Sequence, residues 1–286
     1  REIITTSLVN NLVNRGGITF AFRVAEETSA QPAQIARAYV VAREVFGLRE
    51  FVARVEELDN QVSTAAQTAL YLEFRRLLDR AVRWWLQSRP PIVDIAAEIE
   101  RYRPLVEQLR PQVPDLLAGA ERDRLLRRQA ELMHIGAPES LAGDTAVLLD
   151  VFSLLDIVEI ANETKTPADQ VAPLYFALSE HFQVDAMLVL ITRLPRDDRW
   201  DALARASLRS DLYAALESLT VSVLSSTDGD APPRERIKAW ERSHREALVR
   251  VRETVGEVSH LEQSGIAALS VALRGLRGVV RSGASS

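Results

Sequence analysis

Residues 25 to 46 recur without a gap at residues 161 to 182, an offset of 136 positions. Eight of the 22 aligned pairs are identical: Ala25, Glu27, Thr28, Gln34, Ala36, Tyr39, Glu44 and Phe46 meet Ala161, Glu163, Thr164, Gln170, Ala172, Tyr175, Glu180 and Phe182. The same register continues, with Leu48, Val52, Val55 and Leu58 opposite Val184, Leu188, Ile191 and Leu194. What is preserved is a helical apolar stripe together with its end signals, so the repeated unit is a packing unit and a duplication is the simplest account of it. A chain with this constraint is expected to build one helical scaffold twice.

The rest of the sequence agrees with that expectation. Nearly every segment has helical period, and no run of alternating β-branched residues bounded by turns is present. Ile4, Leu8 and Leu12 make one stripe ended by Gly16-Gly17, and a short helix follows over about residues 19–27. Pro32 suits the first turn of the next helix, which carries Ile35, Tyr39, Ala42 and Phe46 on one side before Gly47 stops it. Leu48, Phe51, Val52 and Val55 belong to another short helix, and Ser63 opens a long one to about Gln87. Pro90-Pro91, Pro104, Pro111 and Pro114 should break the following stretch into short helices and turns.

A buried helix through Leu148, Phe152, Leu155 and Val158 precedes the second copy, which closes with a helix over 201–224. The polar run from Ser225 to Pro233 reads as a loop. Beyond it, Ile237, Trp240, His244, Leu248, Val251, Val255, Val258 and Leu261 step by three and four, predicting a long two-sided helix. Ile266, Leu269, Leu273, Leu276 and Val280 predict its antiparallel partner. That pair can lay its stripe on the repeats or on another subunit. The expected architecture is all-α: a first repeat over 1–88, a helical connector over 89–143, a second repeat over 144–226, and a C-terminal amphipathic pair over 233–286.

Several classes of function are excluded. Cysteine is absent, which removes disulfides, thiolate metal sites and cysteine nucleophiles and suits a cytoplasmic location. The net charge is −5, with arginine and glutamate interleaved rather than gathered into a basic stripe, so nucleic acid is not an expected partner. The apolar run near 186–191 falls far short of the ~20 residues of a membrane crossing, so no membrane association is expected. Two lysines, Lys165 and Lys238, stand against 33 arginines. The chain begins at Arg1, with its two methionines, Met133 and Met187, far inside; it is expected to be a piece of a longer polypeptide. At 286 residues, about three quarters of the unfolded surface can be buried, enough for one large core or two smaller ones.

Candidate sites have competing structural explanations. Gly16-Gly17, Gly275 and Gly278 do not follow a strand, as a dinucleotide or phosphate loop requires. His134, His181, His244 and His260 show no spacing of metal ligands on one helix face. Asp197-Asp198 could imitate a carboxylate pair, but aspartate also caps a helix start. Glu27-Thr28 and Glu163-Thr164, just before the second helix of each copy, suit a shared capping turn or a duplicated ligand site. In Arg83-Trp84-Trp85 one tryptophan can enter the core while the other caps a groove, since neighbouring helical residues diverge by about 100°. No residue is assigned a catalytic, cofactor-binding or metal-binding role.

The stretch from Arg1 to Ser29, REIITTSLVNNLVNRGGITFAFRVAEETS, resembles part of the large bacterial NAD-specific glutamate dehydrogenases, the class with very long subunits. The likeness continues through Ala36-Arg37-Ala38-Tyr39, Leu58-Asp59-Asn60, the arginine-rich helix to Trp85, Asp156-Ile157-Val158-Glu159, Tyr175-Phe176-Ala177-Leu178 and the run from Leu194 to Trp200. It covers most of the chain to about residue 226, and the tail more weakly. The resemblance implies the helical region downstream of the catalytic core. That family converts L-glutamate to 2-oxoglutarate and ammonia with reduction of NAD; its catalytic and dinucleotide-binding residues would lie before Arg1, so none maps here. It further implies a homo-oligomer of the full subunit, with the rest of the same polypeptide as partner. The alternative reading is a freestanding helical adaptor that binds another protein through grooves between repeats.

Overall fold

The computed structural model describes residues 19–195, 198–259 and 265–283, and every element in them is helical. The first expected stripe, Ile4 to Leu12 with Gly16-Gly17, lies outside the described residues. Contacts divide the chain into two units, residues 1–114 with 123–155 and residues 115–122 with 156–286.

In the first unit, α1 (Phe20–Thr28), α2 (Pro32–Val45), α3 (Leu48–Glu56) and α4 (Thr64–Gln87) follow the sequence reading closely. Pro32 occupies the first turn of α2, where its missing N–H is not needed, and the Gln34 side chain accepts from the Gln31 N–H at 2.8 Å. Ile35, Ala38, Tyr39, Val41, Ala42 and Val45 are buried along α2. Gly47, at φ 67°, turns the chain into α3 through a conformation that a Cβ disfavours. Ser63 caps α4 by accepting the Ala66 N–H at 3.2 Å. The 24-residue α4 is the spine of this unit, packing against α1, α2 and α3.

α5 (Ile95–Leu109) lies on α2, followed by a 3-10 turn at Arg110–Gln112, α6 (Val113–Leu116), α7 (Gly119–His134), α8 (Glu139–Ala146) and α9 (Leu148–Val151). Pro104 does not break the chain: it sits inside α5, exposed, so the carbonyl it leaves unpaired can meet water while Tyr102, Val106 and Leu109 anchor the helix inward. Both tryptophans of the Arg83 trio are buried, at 6% and 1% exposure, where a core–rim division had been an option. Tyr102 joins them edge-on, 5.8 Å from Trp84 and 5.4 Å from Trp85, and Arg89 stacks on Trp84 at 4.7 Å.

The stretch expected as a connector contributes α5, α8 and most of α7 to this first unit. Its attachment is ionic as well as apolar. Arg124 and Arg128, one turn apart on α7, donate to Asp150 at 2.7 Å and Glu73 at 2.5 Å, and both carboxylates are buried. A buried carboxylate without a cation is strongly unfavourable, so these pairs tie α7 to α9 and α4.

The second unit contains α10 (Leu154–Thr164), α11 (Ala168–His181), α12 (Val184–Arg193), α13 (Arg199–Ser226), α14 (Pro233–Ser243), α15 (Arg245–Ser259) and α16 (Ile266–Gly283). The buried helix expected through Leu148 to Val158 is interrupted at Phe152-Ser153, where Ser153 N bonds Asp150 O at 3.0 Å in a tighter turn. The long helix expected over 237–261 also breaks, at His244. There Trp240 O lies 2.9 Å from the His244 ring Nδ1, and the two rings stack at 4.3 Å. The local contact competes with the regular helical bond. α16 packs on α15 and on α13, so the tail lays its stripe on its own unit. Among the described residues no single helix is long and apolar enough to cross a membrane; α11 and α12 together have the length and composition, but they bend by 62° and each buries a face inside this unit.

Candidate functional site

Within the first unit, the end of α2, the start of α3, the turn after α5 and α8 surround a cleft of ≈ 630 Å³. Its apolar wall includes Phe46, Phe51, Val106, Leu125 and Val147. Arg54, Arg103 and Arg110 supply its cations, and Glu50, Glu107, Glu139 and Asp144 its carboxylates. Arg54 pairs with Asp144 at 2.7 Å, and Arg103 with Glu107 at 2.6 Å. Arg110 differs from both. Its guanidinium donates to the Phe46 carbonyl at 3.3 Å and forms no ion pair among the described residues. Burial pulls its pKa below the usual arginine value, and the Arg54 charge adds to that against the opposing pull of Asp144. One neutral acceptor at a helix C-terminus serves a group with five N–H donors.

The residues singled out in the sequence are dispersed. Gly275 lies in α16, where an added Cβ would stand 3.3 Å from a Val251 methyl; close helix packing explains it. His134 is exposed at the end of α7, His181 pairs with Glu241 at 2.6 Å, and His244 is buried against Trp240. His260 and Asp197 lie outside the described residues. Among the described residues no cluster of histidine and carboxylate could hold a metal ion. Asp198 caps α13, accepting the Asp201 N–H at 2.8 Å.

Glu27-Thr28 and Glu163-Thr164 close the preceding helix rather than cap the next one. The hydroxyl of Thr28 donates to Val24 O at 2.6 Å and that of Thr164 to Ile160 O at 2.7 Å, and the following residues, Ser29 and Lys165, are left-handed at φ 56° and 57°. Glu27 accepts from Arg83 at 2.5 Å. Burial opposes the charge of Arg83, but its pairs with Glu27 and Asp79 prevail and raise its pKa.

Two stretches that carry the family resemblance meet in the second unit. Tyr175 donates its hydroxyl to Asp156 at 3.0 Å, and both are buried. Nearby, Ser179 donates to the buried Glu121 at 2.5 Å. These contacts fix α11 on α10 and on the first turn of α7. Sequence reasoning missed Arg110 and the cleft, because its walls come from separate stretches between Val45 and Val147.

Comparison with known proteins gives the same direction throughout. The NAD-specific glutamate dehydrogenase of Mycobacterium tuberculosis is 37% identical over 281 residues, 98% of this chain and 17% of its own length. That of Pseudomonas aeruginosa is 35% identical over 282 residues, 99% of this chain and 17% of its length. That of Halomonas elongata is 32% identical over 276 residues, 96% and 17%. The chain thus spans about a sixth of the relatives it matches. The family described as glutamate dehydrogenase, C-terminal, matches residues 1–278. With every element among the described residues helical, the chain belongs to the C-terminal glutamate dehydrogenase family.

Proposed function

We propose that the chain is a non-catalytic helical region of an NAD-dependent glutamate dehydrogenase, with a structural, assembly or regulatory role. The full subunit would convert L-glutamate, NAD and water to 2-oxoglutarate, ammonia and NADH, with NAD bound by the catalytic domain of the same polypeptide. One observation carries the reading: a match over 98% of this chain to 17% of an enzyme of that name. The same match disfavours the freestanding adaptor. The helical units would serve as a packing scaffold for a cytoplasmic homo-oligomer, and their recurring helix starts support a duplication. Pro32 and Ala168, Leu48 and Val184, and nearly Thr64 and Arg199 begin corresponding helices.

The test is NADH formation followed by absorbance, with the chain alone and with the full subunit in L-glutamate and NAD. The full subunit turns over and the chain alone does not. Turnover by the chain alone contradicts the proposal.

A further inference from the structure

The cleft of the first unit has the makings of a ligand site rather than a packing defect. Its volume, ≈ 630 Å³, is that of a pocket for a small metabolite. Its wall is apolar on the Phe46, Phe51, Val106 and Leu125 side, and Arg110, which has no ion pair among the described residues, also lines it. We propose that this cleft binds a small monocarboxylate with an apolar body, its carboxylate held by Arg110.

Each part of that chemistry has an observation behind it. A guanidinium presents parallel N–H donors that match the two oxygens of a carboxylate, and Arg110 spends one donor on the Phe46 carbonyl. Arg54 and Arg103 are already satisfied, by Asp144 and Glu107. Glu50 and Glu139 complete a lining of three arginines and four carboxylates, a field in which a dianion is repelled and a single charge beside Arg110 is tolerated. The apolar body follows from the wall and from the second unit. There Phe182, which aligns with Phe46, is met by the indole of Trp240 at 6.5 Å, edge to face, so this position of the scaffold accepts an aromatic ring.

Titration of the chain, methyl-labelled at leucine and valine, with benzoate, benzamide and inorganic phosphate tests the proposal by nuclear magnetic resonance. The methyls of Val106, Leu125 and Val147 should shift with benzoate and saturate. Benzamide, which has the ring without the charge, should bind about ten-fold or more weakly. Phosphate should not displace benzoate. The Arg110→Gln variant should bind benzoate and benzamide alike, while Arg110→Lys should retain part of the preference. Equal binding of benzoate and benzamide by the unmodified chain overturns the proposal without reference to any variant. So do an absence of shifts at these methyls and displacement by phosphate.

Discussion

The two units start from the same helices and treat one groove in opposite ways. In the first, the edge formed by the end of α2 and α3 stays open, and it carries Glu50, exposed, and Arg54, whose side chain is 41% exposed. In the second, the aligned positions are Ala186 and Leu190, and Leu190 is 6% exposed. Trp240 and Glu241 of α14 meet Phe182 and His181 there, and α15 packs on α12. A duplicated scaffold has thus kept its backbone plan while the side chains at one edge followed what covers them. Charge survives where the groove is open, and aliphatic residues stand where helices close it.

Exchanging residues between the units breaks or sharpens that contrast. Leu190→Arg places a charge under α15 and should lower the stability of the second unit by about 3–5 kcal/mol or unfold it. Denaturation by urea, followed by circular dichroism, measures the loss. Trp240→Ala removes the indole that stacks on His244 and donates to Ser222 at 2.9 Å. It should cost about 3–5 kcal/mol, read from the same curves. Tyr175→Phe deletes the hydrogen bond to the buried Asp156 and should cost about 1–2 kcal/mol.

Smaller effects come from the turn between the second and third helices of each unit. Gly47 at φ 67° and Gln183 at φ 54° occupy aligned left-handed positions. Gln183→Gly should stabilise by up to about 1 kcal/mol, and Gly47→Gln should destabilise by a similar amount. Thermal melts of the two variants with opposite signs support the alignment; equal signs count against it. Arg54→Leu imports the residue of the second unit into the first and removes a half-exposed ion pair, so its stability should change by about 1 kcal/mol or less.

Much of the fold was legible in the sequence because the signals were local. Ser63 as a cap, Pro32 in a first turn, Gly47 as a stop and Asp198 as a cap each act within one turn of helix, and the structure has them where the residues indicated. Features that depend on distant partners were not legible. Arg124 and Arg128 look like surface charge until Asp150 and Glu73 come into reach. His244 fits an apolar stripe by spacing, yet its ring contacts Trp240 O and ends the helix. Trp84 and Trp85 are both core because Tyr102, on another helix, packs edge-on against each of them. The cleft has no motif of its own: Arg110 stands in an ordinary Arg-Pro step, and its lack of an ion pair among the described residues shows only in three dimensions.

Amide hydrogen exchange on the chain with and without residues 233–286 tests the central contrast most directly. The account predicts that removal of this tail speeds exchange in Val184–Arg193, which the tail covers, and leaves Leu48–Glu56 unchanged. Equal loss of protection in both helices, or no change in Val184–Arg193, would contradict it.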